Sequence, residues 1–398
     1  MPEHSIIHSF FLIFSGAALL ASVVLYTRQP ILVAYIALGA ILGPFGLNYV
    51  SDARLLSEIA EIGIIFLLFL LGLDMQPSNL MRMLRKATLV ALISSLAFAA
   101  IGYVVALAFG YSQVEAIIVG CAMMFSSTII GIKLLPTTAL HHRHTGELVV
   151  GMLLLQDLIA IVVLLVLGGY GQPTADGELA NNSANVIDIL TTLATLPLLV
   201  VAVFLTVRYV IVKLITQFDR FHEYIFLLAI GWCLGVAVLA KQLGLSLEIG
   251  AFIAGISIAT SPISQYIAEH LKPLRDFFLV LFFFSLGAAF NLGLLGQVIV
   301  PAVLLAILMV ALKPVIFRFL LYREKEPNDI AWEVGFRLGQ ISEFSLLIAY
   351  LATSSLIIGQ EASHLIQAAA ILTFILNTYL VILRYPSPIA ISDKLRRD

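Results

Sequence analysis

Apolar residues run through this chain in long unbroken blocks, without the spacing of a single buried helix face. Windows of about 20 apolar residues, the length that crosses a hydrocarbon core, recur thirteen times. They fall roughly at 5–26, 31–50, 56–73, 87–109, 114–136, 147–169, 186–214, 223–240, 245–260, 275–292, 297–321, 330–355 and 362–383. Short polar turns separate most of them. The longest polar gap, Gly171–Asn185, carries acidic residues and no Lys or Arg. Blocks that are apolar on every side predict helices surrounded by lipid or by one another. The expected fold is an all-α polytopic membrane protein with about 13 transmembrane helices. The first block follows Met-Pro-Glu-His, lacks a basic lead and is too long for a signal peptide, so it reads as the first span.

Composition strengthens this picture. The hydrophobic fraction is 61% and the charged fraction 12%, against roughly 25% charged in a soluble domain. A net charge of −2 gives no electrostatic footprint for nucleic acid. Cys121 and Cys233 both lie in apolar runs and imply neither a disulfide framework nor a metal site. The sequence holds no G-x-x-x-x-G-K-[ST] phosphate loop and no H-E-x-x-H, and FSSTIIG is not a nucleophile elbow. The expectation is therefore a protein that is not an enzyme and uses no cofactor. The lipid bilayer is its first partner.

Basic residues set the orientation. With the N-terminus outside, the inner loops hold Arg28, Arg82, Arg85, Lys86, Arg143, Arg208, Lys213, Arg220, Lys272, Arg275, Arg323 and Lys325. Arg384, Lys394, Arg396 and Arg397 follow in the tail, while the outer loops hold only Arg54 and Lys241. This asymmetry supports an odd number of spans, N-terminus out and C-terminus cytoplasmic. Thirteen spans divide as six, one and six, which gives the two halves opposite orientation, as an inverted repeat requires. Span 5 contains MMFSSTIIG (Met123–Gly131) and its counterpart, span 12, contains RLGQISEFS (Arg337–Ser345). Both interrupt an apolar run near its middle. Such runs suit broken helices whose free N–H and C=O groups face an ion. The alternative is ordinary helices whose Ser and Thr bond back to the preceding turn.

Few ionisable residues lie inside the spans, and each is a functional hypothesis because burying charge in hydrocarbon is costly. Asp157 is central in span 6, in MLLLQDLIAI (Met152–Ile161). A carboxylate there is neutralised by a proton or balanced by a bound cation, and that competition is the simplest basis for exchanging one for the other. The alternative is a structural ion pair or a protonated Asp between helices. Gln156 supports an ion through its carbonyl or makes a helix–helix hydrogen bond. Lys313 pairs with Asp157 or Glu343, or else bonds the carbonyls of the broken helices. Glu343 is a second proton carrier or the salt-bridge partner of Lys313 or Arg337, the structural role being favoured. Lys133 neutralises a helix C-terminus or snorkels to the surface. The three histidines of LHHRHTGE (Leu140–Glu147) read as a solvated loop ahead of a pH sensor or metal site.

The motifs EIGIIFLLFLLGLDM (Glu61–Met75), FSSTIIGIKLL (Phe125–Leu135), LLLQDLIAI (Leu153–Ile161), LSLEIGAFIAGISIA (Leu245–Ala259), LFFFSLGAAF (Leu281–Phe290) and GQISEF (Gly339–Phe344) occur in this order along nearly the whole chain. On them the chain resembles the monovalent cation:proton antiporter-2 family, and within it the Kef-type potassium/proton antiporters. The resemblance implies the sodium/proton-antiporter fold, with spans 5 and 12 as crossing broken helices, a homodimer and an elevator-type movement. It implies a transmembrane domain over 1–384: a dimerisation part from about 1–75 and 222–292, a linker helix at about 186–214, a core part from about 87–170 and 296–384, then a short basic tail at 385–398. Asp157 matches the family's ion- and proton-carrying aspartate. Gln156 matches the Gln-Asp form of Kef-like members, which favours K+ over Na+ and electroneutral exchange. Ser127, Thr128, Lys313 and Glu343 fall on the family's core polar positions; Ser126 beside them is a further candidate ligand and Arg337 a further supporting charge. Kef-type proteins usually continue into a cytoplasmic nucleotide-binding domain. This sequence stops at Asp398, so either a regulatory domain or subunit lies outside it or regulation is of another kind, and the resemblance carries over no glutathione or nucleotide gating; Lys133 stands where Kef-like sequences tend to carry an uncharged polar residue.

The function expected is proton-coupled antiport of a monovalent cation across a bacterial inner membrane, with Asp157 as the cation and proton ligand assisted by Ser126, Ser127, Thr128 and Gln156. The competing expectation is a gated, channel-like potassium efflux pathway, against which stands the absence of a T-V-G-Y-G carbonyl filter.

Overall fold

A computed structural model describes residues 6–388 apart from 51–52, 75–76, 137–143, 171–185, 219–220, 244, 260 and 262–263, together with 390 and 395. The polar gap Gly171–Asn185 and the first half of the histidine loop, 140–143, thus lie outside the described residues. All the regular elements described are helical: α1 (Ile6–Tyr26), α2 (Ile31–Leu42), α3 (Ala53–Asp74), α4 (Pro77–Ala108), α5 (Gln113–Met123), α6 (Thr128–Lys133), α7 (His144–Tyr170), α8 (Val186–Thr206), α9 (Val212–Gln217), α10 (His222–Gln242), α11 (Leu247–Ala259), α12 (Ser264–Ala288), α13 (Leu295–Arg323), α14 (Asn328–Arg337), α15 (Glu343–Ser354) and α16 (Gln360–Arg384). A π turn, Val207–Ile211, joins α8 to α9, and a 3-10 turn, Leu292–Leu294, precedes α13.

Among the described residues, eight stretches are long and apolar enough to cross a bilayer: Ile7–Tyr26, Thr88–Ala108, Gln113–Ile132, His144–Leu164, Thr195–Gln217, Glu223–Gln242, Leu295–Arg323 and Gln360–Arg384. Shorter apolar helices occupy Ile31–Leu42, Glu61–Leu70, Leu247–Ala259 and Glu343–Ser354. Where thirteen full crossings were expected, length and apolarity together mark eight. The remaining windows fall on apolar helices described over fewer residues, on α12, whose first half carries Lys272, Arg275 and Asp276, and on the stretch around Glu343, which the chain splits in two.

The chain divides into two compact units. One contains residues 1–53, 80–164 and 283–398. In it α2 meets the end of α12 with almost no space between backbones. A Cβ on Gly39 would lie 2.0 Å from the Phe284 carbonyl oxygen, and one on Gly287 would lie 2.0 Å from that of Ile36. Small residues at such crossings let helices gain dispersion contact where lipid supplies no hydrophobic drive. The other unit contains residues 54–79 and 165–282. Its core gathers Phe69, Leu199, Cys233, Ala237, Ala251 and Leu271. There Gly255 lies against the Phe69 carbonyl, at 2.1 Å for an added Cβ, and Gly72 against that of Phe252, at 2.6 Å.

A bulkier residue at Gly287 forces the backbone of α2 to move. Gly287→Val is expected to cost about 1–3 kcal/mol or more, the range for overpacking, and to lower the melting temperature of the detergent-solubilised protein. An unchanged melting temperature contradicts the close approach.

Candidate functional site

The site is built from two interrupted helices in the first compact unit. Helix α5 opens on a reciprocal capping box between Ser112 and Glu115 and ends at Met123. After Phe125 and Ser126 the helix restarts as α6, with the Ser127 hydroxyl accepting the N–H of Ile130 at 3.1 Å as its cap. The second interruption lies between α14 and α15. The Ser342 hydroxyl caps α15 by accepting the Phe344 N–H. Gly339 leaves room here for the Asn377 side chain, whose Oδ1 would lie 2.4 Å from an added Cβ. Short hydroxyl side chains favour such restarts because they replace the missing helical partner of an N–H.

The two interruptions are tied to each other. Ser126 Oγ donates to the Leu338 carbonyl at 2.7 Å, Gln340 Nε2 donates to that of Ser127 at 3.3 Å, and Ser345 Oγ donates to that of Ala122. Lys313, fully buried on α13, spans both: its ammonium donates to the Phe125 carbonyl at 2.6 Å, to the Gln340 carbonyl at 3.0 Å and to Ser126 Oγ at 3.4 Å. The ring of Phe98 covers it with its centroid 5.0 Å away. Gln156 Oε1 accepts the Ser126 N–H at 3.0 Å, and Thr373 Oγ1 accepts that of Ile341 at 3.0 Å. Asn377 donates to the Phe336 carbonyl and to Gln340 Oε1, which fixes the Gln340 amide.

Against this crossing lies Asp157, on α7 and fully buried. Its Oδ2 accepts the Thr128 hydroxyl at 3.0 Å, while Oδ1 has no hydrogen-bond partner. Glu343 Oε1 accepts the Ile129 N–H at 3.3 Å and its Oε2 has no partner. The remaining unpartnered atom nearby in sequence is Gln156 Nε2, a donor. Arg337 is equally buried but turned elsewhere. It donates to Glu333 Oε1 at 3.0 and 2.7 Å, to the Leu134 carbonyl at 2.8 Å and to that of Pro386 at 2.8 Å.

The structure thus brings Asp157, Gln156, Ser126, Ser127, Thr128, Lys313 and Glu343 into one buried region and leaves Arg337 at its edge. Of the alternatives for Lys313, it adopts carbonyl bonding. Glu343 forms a salt bridge with neither Lys313 nor Arg337 among the described residues. The side chain of Lys133 lies outside the description. His144, from the histidine loop, contacts Glu326 at 2.8 Å on a half-exposed surface. Gln340, Asn377 and Thr373 were not anticipated, although polar residues inside an apolar window were a signal available in the sequence.

What the arrangement can do follows from burial. An ionised carboxylate with an oxygen unpartnered in a dry interior needs a proton or a cation. Asp157 faces that choice with one oxygen fixed by Thr128 and one free.

Removing the Lys313 ammonium strands the Phe125 and Gln340 carbonyls. Each lost partner costs about 1–3 kcal/mol, so Lys313→Met should lower thermal stability by roughly twice that range. Differential scanning fluorimetry in detergent checks this; a variant as stable as the parent contradicts the bracing role.

Taken together, apolar spans and a buried acidic site at interrupted helices define an integral membrane protein that gathers its polar groups around one point. The chain belongs to the family described as sodium/hydrogen exchanger, transmembrane, whose model matches residues 11–382. K(+) efflux antiporter 4 of Arabidopsis thaliana is 31% identical over 90% of this chain and 59% of its own length. The glutathione-regulated potassium-efflux system protein KefC of Cronobacter sakazakii is 27% identical over 96% of this chain and 61% of its own. The iron transporter MagA of Paramagnetospirillum magneticum is 26% identical over 92% of this chain and 82% of its own. The chain therefore spans little more than half the length of the efflux antiporters it matches. Among solved structures, the sodium proton antiporter MjNhaP1 of Methanocaldococcus jannaschii shares the fold, with a TM-score of 0.69 over 98% of this chain and 97% of that one, at 18% identity.

Proposed function

We propose that this protein is a secondary antiporter that exchanges protons for a monovalent cation, K+ ahead of Na+, with Asp157 as the shared carrier. The observation that carries this reading is the buried Asp157 oxygen left unpartnered beside the helix interruptions. A proton or a cation satisfies that oxygen, and each excludes the other. Thr128 holds the second oxygen and so aims the first. The kinship with potassium-efflux antiporters supports K+. One carboxylate trading one proton for one monovalent cation makes the exchange electroneutral.

The reading extends to architecture. An inverted six-one-six repeat relates span n to span n + 7, so spans 5 and 12 correspond, and these are the two interrupted ones. The same operation exchanges spans 2 and 9, and 3 and 10. The repeat thus pairs the helices of two crossings, α2 with α12 and α11 with α3, and each crossing is closed by glycines against backbone, which supports the correspondence. A core part at about 87–170 and 296–384 is supported by the grouping of 80–164 with 283–398 in one compact unit. Residues 1–53 group with that unit too, whereas the dimerisation part was expected to include them. Elevator-type movement, a homodimer and a bacterial inner membrane with the C-terminus cytoplasmic complete the proposal.

Purified protein in liposomes with an internal pH dye should move protons when K+ is added outside, and more weakly with Na+. Asp157→Asn should abolish the response, a loss of at least about a hundredfold for a carrier group that can no longer ionise. Full exchange by Asp157→Asn overturns the proposal. Cation flux down its gradient without proton movement supports the gated-channel reading instead.

A further inference from the structure

Glu343 has a role to fill once its expected partners are seen elsewhere. Lys313 is committed to two carbonyls and a hydroxyl, and Arg337 to Glu333 and two further carbonyls. Yet Glu343 is 95% buried, at 5% relative exposure. Thr128 holds Asp157 Oδ2 and the next residue, Ile129, holds Glu343 Oε1, so one helical turn grips one oxygen of each carboxylate. Each acid keeps its other oxygen buried and unpartnered. Two buried like charges stay ionised together only with positive charge beside them.

We infer that Asp157 and Glu343 form a single two-carboxylate cation site, in which Glu343 supplies the second anionic oxygen to the bound monovalent ion. This inference rests on the antiport reading above. Charge accounting supports it. With both acids ionised, a bound monovalent cation leaves the pair at −1. With the cation gone and one proton taken up, the pair is again at −1. Lys313 contributes +1 to the same buried region, and Arg337 with Glu333 cancels. The interior is then neutral in both states, and one cation trades for one proton. Without the Glu343 charge, the cation-loaded region would carry +1 in a dry interior.

Glu343→Gln removes the charge but keeps an oxygen for the Ile129 N–H, whereas Glu343→Asp keeps the charge. In proteoliposomes titrated with KCl, Glu343→Gln should raise the KM for K+ by about tenfold or more, the scale of losing one nearby charge in a partly screened interior, with a smaller change in maximal rate. Glu343→Asp should recover most of the affinity. On a solid-supported membrane, a K+ jump should produce no net transported charge in the parent protein. A KM for Glu343→Gln within twofold of the parent reduces Glu343 to a helix cap and overturns the inference. So does a parent current that Glu343→Gln abolishes, since Glu343 would then carry a second proton. Should Glu343→Gln not fold, infrared difference spectra of the parent on K+ binding decide. Perturbation of a second carboxylate band beside that of Asp157 upholds the site, and perturbation of one band alone overturns it. If the parent shows no exchange at all, the antiport reading itself fails. If the parent exchanges and Asp157→Asn does not, while Glu343→Gln matches the parent, only the role of Glu343 fails.

Discussion

The ammonium of Lys313 holds two broken helices together, and the rest of the site depends on that grip. Each interruption exposes backbone groups that would be costly in hydrocarbon, several kcal/mol apiece when left unsatisfied. A single cation reaching one carbonyl from each interruption answers part of that cost and fixes their separation. Its placement is local in origin. A Cβ on Gly335 would lie 2.7 Å from the Pro314 carbonyl oxygen, so α14 packs hard against α13 beside Lys313. The glycine permits the approach, and the approach brings the second interruption under the ammonium.

Around this brace the polar residues divide their labour. Ser126, Gln340, Ser345 and Asn377 donate to carbonyls of or beside the interruptions, and Gln156 and Thr373 accept their N–H groups. The crossing is largely satisfied by the protein itself. Free acceptor atoms near it belong to side chains, namely Asp157 Oδ1, Glu343 Oε2 and the amide oxygen of Asn377, and of these two are carboxylate oxygens. The carbonyl of Gln156 is occupied, so its neutrality, more than its oxygen, is what it brings to the neighbourhood of Asp157.

Much of this was legible in the sequence, and the limits are physical. Apolar windows announce helices because lipid demands them, and small polar residues in MMFSSTIIG and RLGQISEFS announced the interruptions. Asp157 stood out because a lone carboxylate in an apolar run is rare. Partnerships were another matter. Spacing along one helix says nothing about which helix it faces, so Lys313, Glu343 and Arg337 could be matched in several ways. The i, i+4 pair of Glu333 and Arg337 was readable and went unread. The carbonyl bonding by Lys313 from α13 was one of the two readings its position allowed, whereas Asn377, the donor that reaches the second interruption from α16, had no reading at all. Asn377 and Thr373 sit in a window whose apolar character masked them.

The sealed crossing separates what makes the protein fold from what makes it choose. Donors that close the carbonyls cannot be exchanged without loosening the helices, so those positions are constrained. The two carboxylates each spend one oxygen on the fold and hold one in reserve. If the proposed carrier role holds, a lineage with this scaffold can alter its cargo by changing a few side chains around that reserve, with the helical frame untouched.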